Sequence, residues 1–129
     1  MRAIDEKIIA ALRNGNGNGL KKLSCRDSVK VDKNRIEYFL WGNLLFWRNS
    51  DNICFFSGRS WNTKTTKNRL NAILYNFLRV YIIQKNYKWF LNWNQKEYLI
   101  DATNIFYFKG DKLFKKASHD VEVLPIENN

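Results

Sequence analysis

Between Ser28 and Lys116, short runs of β-branched and aromatic residues follow one another, broken every few positions by Asn, Gly, Ser or Asp. Only one stretch among them carries a helical period. Ser28–Val31, Ile36–Trp41, Leu44–Trp47 and Ile53–Phe56 have the composition of strands, and the turn cluster Asn49-Ser50-Asp51-Asn52 makes the last two a hairpin. After Gly58 the pattern changes: Leu70, Ile73, Leu74 and Phe77 stand at i, i+3, i+4 and i+7, one face of a helix. Strand-like runs then return at Arg79–Lys85 and Tyr87–Trp93, joined around Asn86, and at Tyr98–Ile100 and Ile105–Phe108. Gly110-Asp111 marks a turn before the basic segment Lys112–Lys116. Long alternating βαβ units are missing. The pattern predicts an α+β fold, an antiparallel sheet with one main helix packed on one face.

A second, shorter helix is predicted at the N-terminus, where Ile4, Ile8 and Leu12 recur every four residues. The run Asn14-Gly15-Asn16-Gly17-Asn18-Gly19 stops it, because Gly and Asn both tolerate positive φ. A phosphate-binding glycine loop would need a preceding strand and a Lys-Ser/Thr ending, and neither is present. The expected organisation is a helix with its Gly/Asn link over 1–19, a single α+β domain over 20–116, and an acidic, fraying tail over 117–129.

Charge narrows the functional classes. The chain of 129 residues carries a net charge of +10, and between Gly58 and Lys116 the only anions are Glu97, Asp101 and Asp111. Such a surface suits a polyanionic partner. The 17 Asn and the many Lys, Ile, Tyr and Phe residues are also what an AT-rich genome encodes, which is a competing origin for part of this excess. Cys25 and Cys54 have neither the spacing nor the neighbouring His of a zinc site. Acidic residues interrupt any signal-peptide core in the first helix, and no apolar run is long enough to span a bilayer. The expectation is a cytoplasmic protein of the host cell, with reduced thiols, no membrane and no cofactor.

Catalytic chemistry is thinly represented. The single His, His119, lies in the acidic tail, so neither general acid–base work nor a Cys–His pair has an obvious seat. Asp101 with Glu97 is the one carboxylate pair able to hold a nuclease metal, and it lacks the accompanying acidic-x-Lys pattern. The expectation is therefore no enzyme, no catalytic residues and no metal, with a metal-dependent nuclease as a remote third reading.

Two constellations suit binding. Lys64, Thr65, Thr66, Lys67 and Arg69 place hydroxyls and cations at the start of the main helix, where free backbone N–H groups already favour anions. The competing reading is a helix capped by Thr65 or Thr66, with a solvated basic turn. Further on, Tyr81, Lys85, Tyr87, Lys88, Trp89, Trp93 and Lys96 interleave aromatics with cations. Lys85, Lys88, Trp89 and Trp93 are the candidates there for base stacking and backbone contact. The competing reading makes those aromatics core.

The run Gly58-x-x-Trp61-x-Thr63-x-Thr65-Thr66-x-x-Arg69-Leu70-Asn71 resembles the signature of a small domain found in phage and mobile-element proteins. Gln84-Lys85-Asn86 with Trp89, Phe108-x-Gly110, and upstream Ile53 and Leu40-Trp41-Gly42-Asn43 extend the resemblance over about residues 36–114. Ser60-Trp61 stands where Gly-Trp is more usual. The resemblance implies a phage source and one α+β domain, and it implies no reaction. Small phage proteins often act on host machinery, some as anti-CRISPR inhibitors. The expected function is thus a non-enzymatic phage accessory protein binding nucleic acid, with RNA or a single strand preferred. The alternative is an anti-defence inhibitor of a host protein or CRISPR effector ribonucleoprotein.

Overall fold

The computed structural model describes residues 2–14, 19–60, 63–101, 103–109, 112–116 and 122–125. The Gly15–Gly17 link, Trp61, the Gly110-Asp111 turn and His119 lie outside them. Two helices, α1 (Ala3–Asn14) and α2 (Lys64–Leu78), accompany eleven strands. These are β1 (Gly19–Lys22), β2 (Asp27–Val31), β3 (Arg35–Leu40), β4 (Asn43–Asn49), β5 (Cys54–Phe56), β6 (Tyr81–Lys85), β7 (Lys88–Trp93), β8 (Lys96–Ile100), β9 (Ile105–Lys109), β10 (Lys112–Lys116) and β11 (Glu122–Pro125). The α+β class stands. The strands form two antiparallel sheets where one was expected: β1-β2-β3-β4-β5-β9-β10-β11, and β6-β7-β8. Glu122–Pro125 pairs with β10 where fraying is expected.

Both sheets and both helices share one core. Tyr38, Phe46, Phe56 and Phe106 face one another in register across β3, β4, β5 and β9. Phe77 of α2 stacks on Phe46 with ring centroids 5.8 Å apart. The small sheet contributes Ile82, Trp89, Leu91, Tyr98 and Ile100, and Trp93 meets Phe108 edge-on at 5.0 Å. Helix α1 packs into this core, with Ile8 and Leu12 buried in the same cluster.

Two buried charges sit on the apolar stripes of the helices. In α1 the buried positions are Asp5, Ile8, Ile9 and Leu12. In α2 they are Thr66, Arg69, Leu70, Ile73 and Leu74. Arg69 donates from Nε to Asp27 Oδ1 at 2.8 Å and approaches Asp5 Oδ1 to 3.8 Å. The Tyr38 hydroxyl also donates to Asp27 Oδ1, and Ser24 Oγ donates to Oδ2 at 2.7 Å. Burial alone raises the Asp27 pKa, but the bonds from Arg69, Tyr38 and Ser24 and the charge of Arg69 outweigh it and hold it below the ordinary carboxylate value. Burial first, and then the acceptor Asp27, push the Tyr38 phenol well above its usual range. This network ties α1, β2, β3 and α2 together at their centre.

Candidate nucleic-acid interface

The expected phosphate-binding helix start divides in two. Arg69 is only 3% exposed and serves as the counter-ion of Asp27, so its guanidinium is not available to a phosphate at the surface. Thr66 is buried as well, its hydroxyl in contact with Thr63 Oγ1 at 2.9 Å. The N-cap is Thr63, in place of Thr65 or Thr66: its Oγ1 accepts from the Thr66 backbone N–H at 3.1 Å. Lys64, Thr65 and Lys67 remain at the surface to differing degrees. The signal for Arg69 was present in the sequence. Carrying the stripe Leu70–Ile73–Leu74–Phe77 back one turn places Thr66 and Arg69 on the buried face.

The expected stacking tryptophans are also corrected. Trp89 is 3% exposed, and Trp93 packs its ring against Tyr98 and Phe108. Both are held by the inner side of the small sheet, because Trp89, Leu91 and Trp93 share the face that meets the core. On the large sheet, Trp47, Phe55, Tyr107 and Phe114 line up across β4, β5, β9 and β10, with neighbouring centroids 5.0–5.2 Å apart. Their faces are turned to one another, so this row is no platform for a base.

The aromatics that do reach solvent lie elsewhere. The outer side of the small sheet carries Tyr81, Ile83 and Lys85 on β6, Lys88 and Phe90 on β7, and Leu99 on β8. Strand burial alternates here: Ile82, Leu91, Tyr98 and Ile100 point inward and their neighbours outward. Lys85 Nζ lies 5.9 Å above the Phe90 ring and 2.7 Å from Glu97 Oε1. Beside Tyr81, Tyr75 of α2 carries the Arg79 guanidinium over its ring at 5.2 Å. One edge of this sheet is closed: the Asn71 side chain donates to Ile82 O at 2.9 Å and accepts from Ile82 N.

At the turn end of the β6–β7 hairpin a groove of about 410 Å³ opens. Its walls are Tyr87, Lys88, Trp89, Leu99, Ile100, Asp101 and Lys115. Tyr87 was read in the sequence within the aromatic–cation run and Lys115 within the basic segment Lys112–Lys116, but neither was among the candidate binding residues. Tyr87 occupies a two-residue turn with Asn86, both at positive φ, and is 88% exposed. The two carboxylates considered for a metal have structural tasks. Glu97 pairs with Lys85, and Asp101 accepts from the Thr103 and Asn104 backbones and the Asn104 side chain. Among the described residues no three His, Cys, Asp or Glu side chains gather as a metal site.

A family model for the Kyanoviridae Gp96 protein matches residues 1–114. The chain belongs to this phage family. The match begins at the first residue, so α1 and the Gly/Asn link are part of the family's pattern, whereas the resemblance read from the sequence began near residue 36. No curated protein and no solved structure matches the chain. No helix among the described residues is long and apolar enough to cross a membrane.

Proposed function

We propose that this phage protein is a non-enzymatic binder of nucleic acid, RNA or another single strand, and that the outer side of β6–β7–β8 is its contact surface. The observation that carries the reading is the composition of that side. Tyr81 and Leu99 stand exposed, with half-buried Phe90 between them, among Arg79, Lys85 and Lys88, and Glu97 is the carboxylate beside Lys85. Exposed rings receive bases of any sequence, and cations nearby hold the phosphates. The net charge of +10 favours the same partner. Of the residues singled out in the sequence, Lys85 and Lys88 belong to this surface, and Lys64, Thr65 and Lys67 would add a second phosphate contact.

The test is binding of labelled single-stranded RNA, single-stranded DNA and duplex DNA at two salt concentrations. Log affinity should fall against log salt with a slope of about −0.7 per phosphate neutralised on a single strand. Lys85→Ala/Lys88→Ala should lower the slope by about one to two. Binding insensitive to salt, or tightest to duplex, refutes the reading.

A second reading has its own observation. Trp41, 58% exposed at the tip of the β3–β4 hairpin, flanks a groove of about 290 Å³ with Leu20, Lys22 and Arg26. Exposed Trp with Arg is the composition of a protein-binding hot spot. It suits an anti-defence inhibitor docking on a host protein or CRISPR effector ribonucleoprotein. Pull-down from nuclease-treated host lysate separates the two: a retained protein partner that Trp41→Ala loses favours the inhibitor.

A further inference from the structure

We propose that the groove at the turn end of the β6–β7 hairpin takes one unpaired nucleobase of a single strand, stacked on Tyr87, with Lys88 and Lys115 at its phosphates. This inference rests on the nucleic-acid reading above and adds to it a particular pocket and a mode of recognition.

Three observations converge. First, the groove's volume of about 410 Å³ falls in the range of small-ligand sites, roughly 300–1,000 Å³. Second, Tyr87 breaks a local rule. Its φ of 65° belongs to a turn that prefers Asn or Gly, and a bulky residue there is strained. Its ring is 88% exposed, so little packing offsets that strain. An aromatic held out at a strained position is better explained by what it contacts outside the chain.

Third, the charges at this end are unbalanced. Lys85 and Lys88 stand directly opposite each other across the hairpin, an unfavourable like-charge pair. Glu97 engages Lys85, while Lys88 turns to the groove that Lys115 also lines. Asp101 is the one carboxylate in its walls, and its oxygens already accept three hydrogen bonds from the loop that follows. A carboxylate has about four acceptor sites. The remaining one suits an N–H donor on a base's pairing edge, and the two lysines suit phosphate.

The test compares a labelled single-stranded oligonucleotide with an abasic strand of equal length and charge, on wild type and on Tyr87→Asn. Asn fits the turn, so the variant should fold and its Tm should rise by about 3–4 °C. The base-bearing strand should bind wild type more tightly than the abasic strand, and Tyr87→Asn should lower that ratio by about 5- to 150-fold, the worth of one stacked base, while leaving abasic binding unchanged. A ratio unchanged in Tyr87→Asn overturns the pocket and leaves the nucleic-acid reading standing, whereas equal binding of the two strands to wild type overturns the pocket and base stacking on the outer sheet side together. Binding of neither strand overturns both.

Discussion

Arg69→Ala should be among the most damaging single substitutions in this chain. The side chain is 3% exposed, and its main partner, the Asp27 carboxylate, is fully enclosed. Truncation leaves Asp27 ionised in the interior with the Tyr38 and Ser24 hydroxyls, and removes the cation that lies 3.8 Å from Asp5 Oδ1. Breaking a buried pair in this way costs roughly 3–5 kcal/mol. Domains of this size are stable by about 5–15 kcal/mol in total. With a urea slope of about 1–3 kcal/mol per molar, the unfolding midpoint should fall by roughly 2 M, read by near-ultraviolet circular dichroism. An exposed phosphate-binding arginine would shift stability by no more than about 0.5 kcal/mol. A change below about 1 kcal/mol would refute the buried-network account. The pH dependence is a second readout. Because the folded-state pKa of Asp27 is depressed, its contribution is complete above its unfolded value, about 3.9, and is lost as pH falls through the lower folded value. Asp27→Asn should therefore lower stability at neutral pH and flatten its decline below pH 4.

Asn71→Ala removes both bonds to the Ile82 backbone and uncovers the β6 edge; a loss of about 1–3 kcal/mol and faster amide exchange at Ile82 are expected. The cysteines should separate under a thiol reagent in the native state. Exposed Cys25 reacts readily, whereas burial encloses Cys54 and raises its thiol pKa, so it should react only on unfolding. Equal native rates would place Cys54 wrongly.

Local pattern carried most of the elements. The helical stripe from Leu70 to Phe77, the turn at Asn49–Asn52 and the Asn86 hairpin are all legible because period and turn chemistry act over a few residues. Trp41 was expected inside β3 and instead turns the β3–β4 hairpin at a φ of 53°. Its conformation is set by the pairing of Leu40 with Asn43, which a window on one strand does not contain. The short β1 strand went unread for the same reason, since its burial is low and only its pairing with β2 defines it.

The sequence by itself determined the α+β class, the order of the elements, the excess of positive charge and a phage origin. These depend on period, composition and short motifs, which survive without a tertiary structure. The split into two sheets was decided by long-range pairing: β5 joins β9 and leaves β6–β7–β8 as a separate sheet. The roles of the charged and aromatic residues were decided the same way. Arg69 and Trp89 look like binding residues in one dimension because a cation or a ring has no label for its destination. Asp27, 42 residues away from Arg69, and the core beneath β7 draw them inward, and Tyr87 is left outside at the turn.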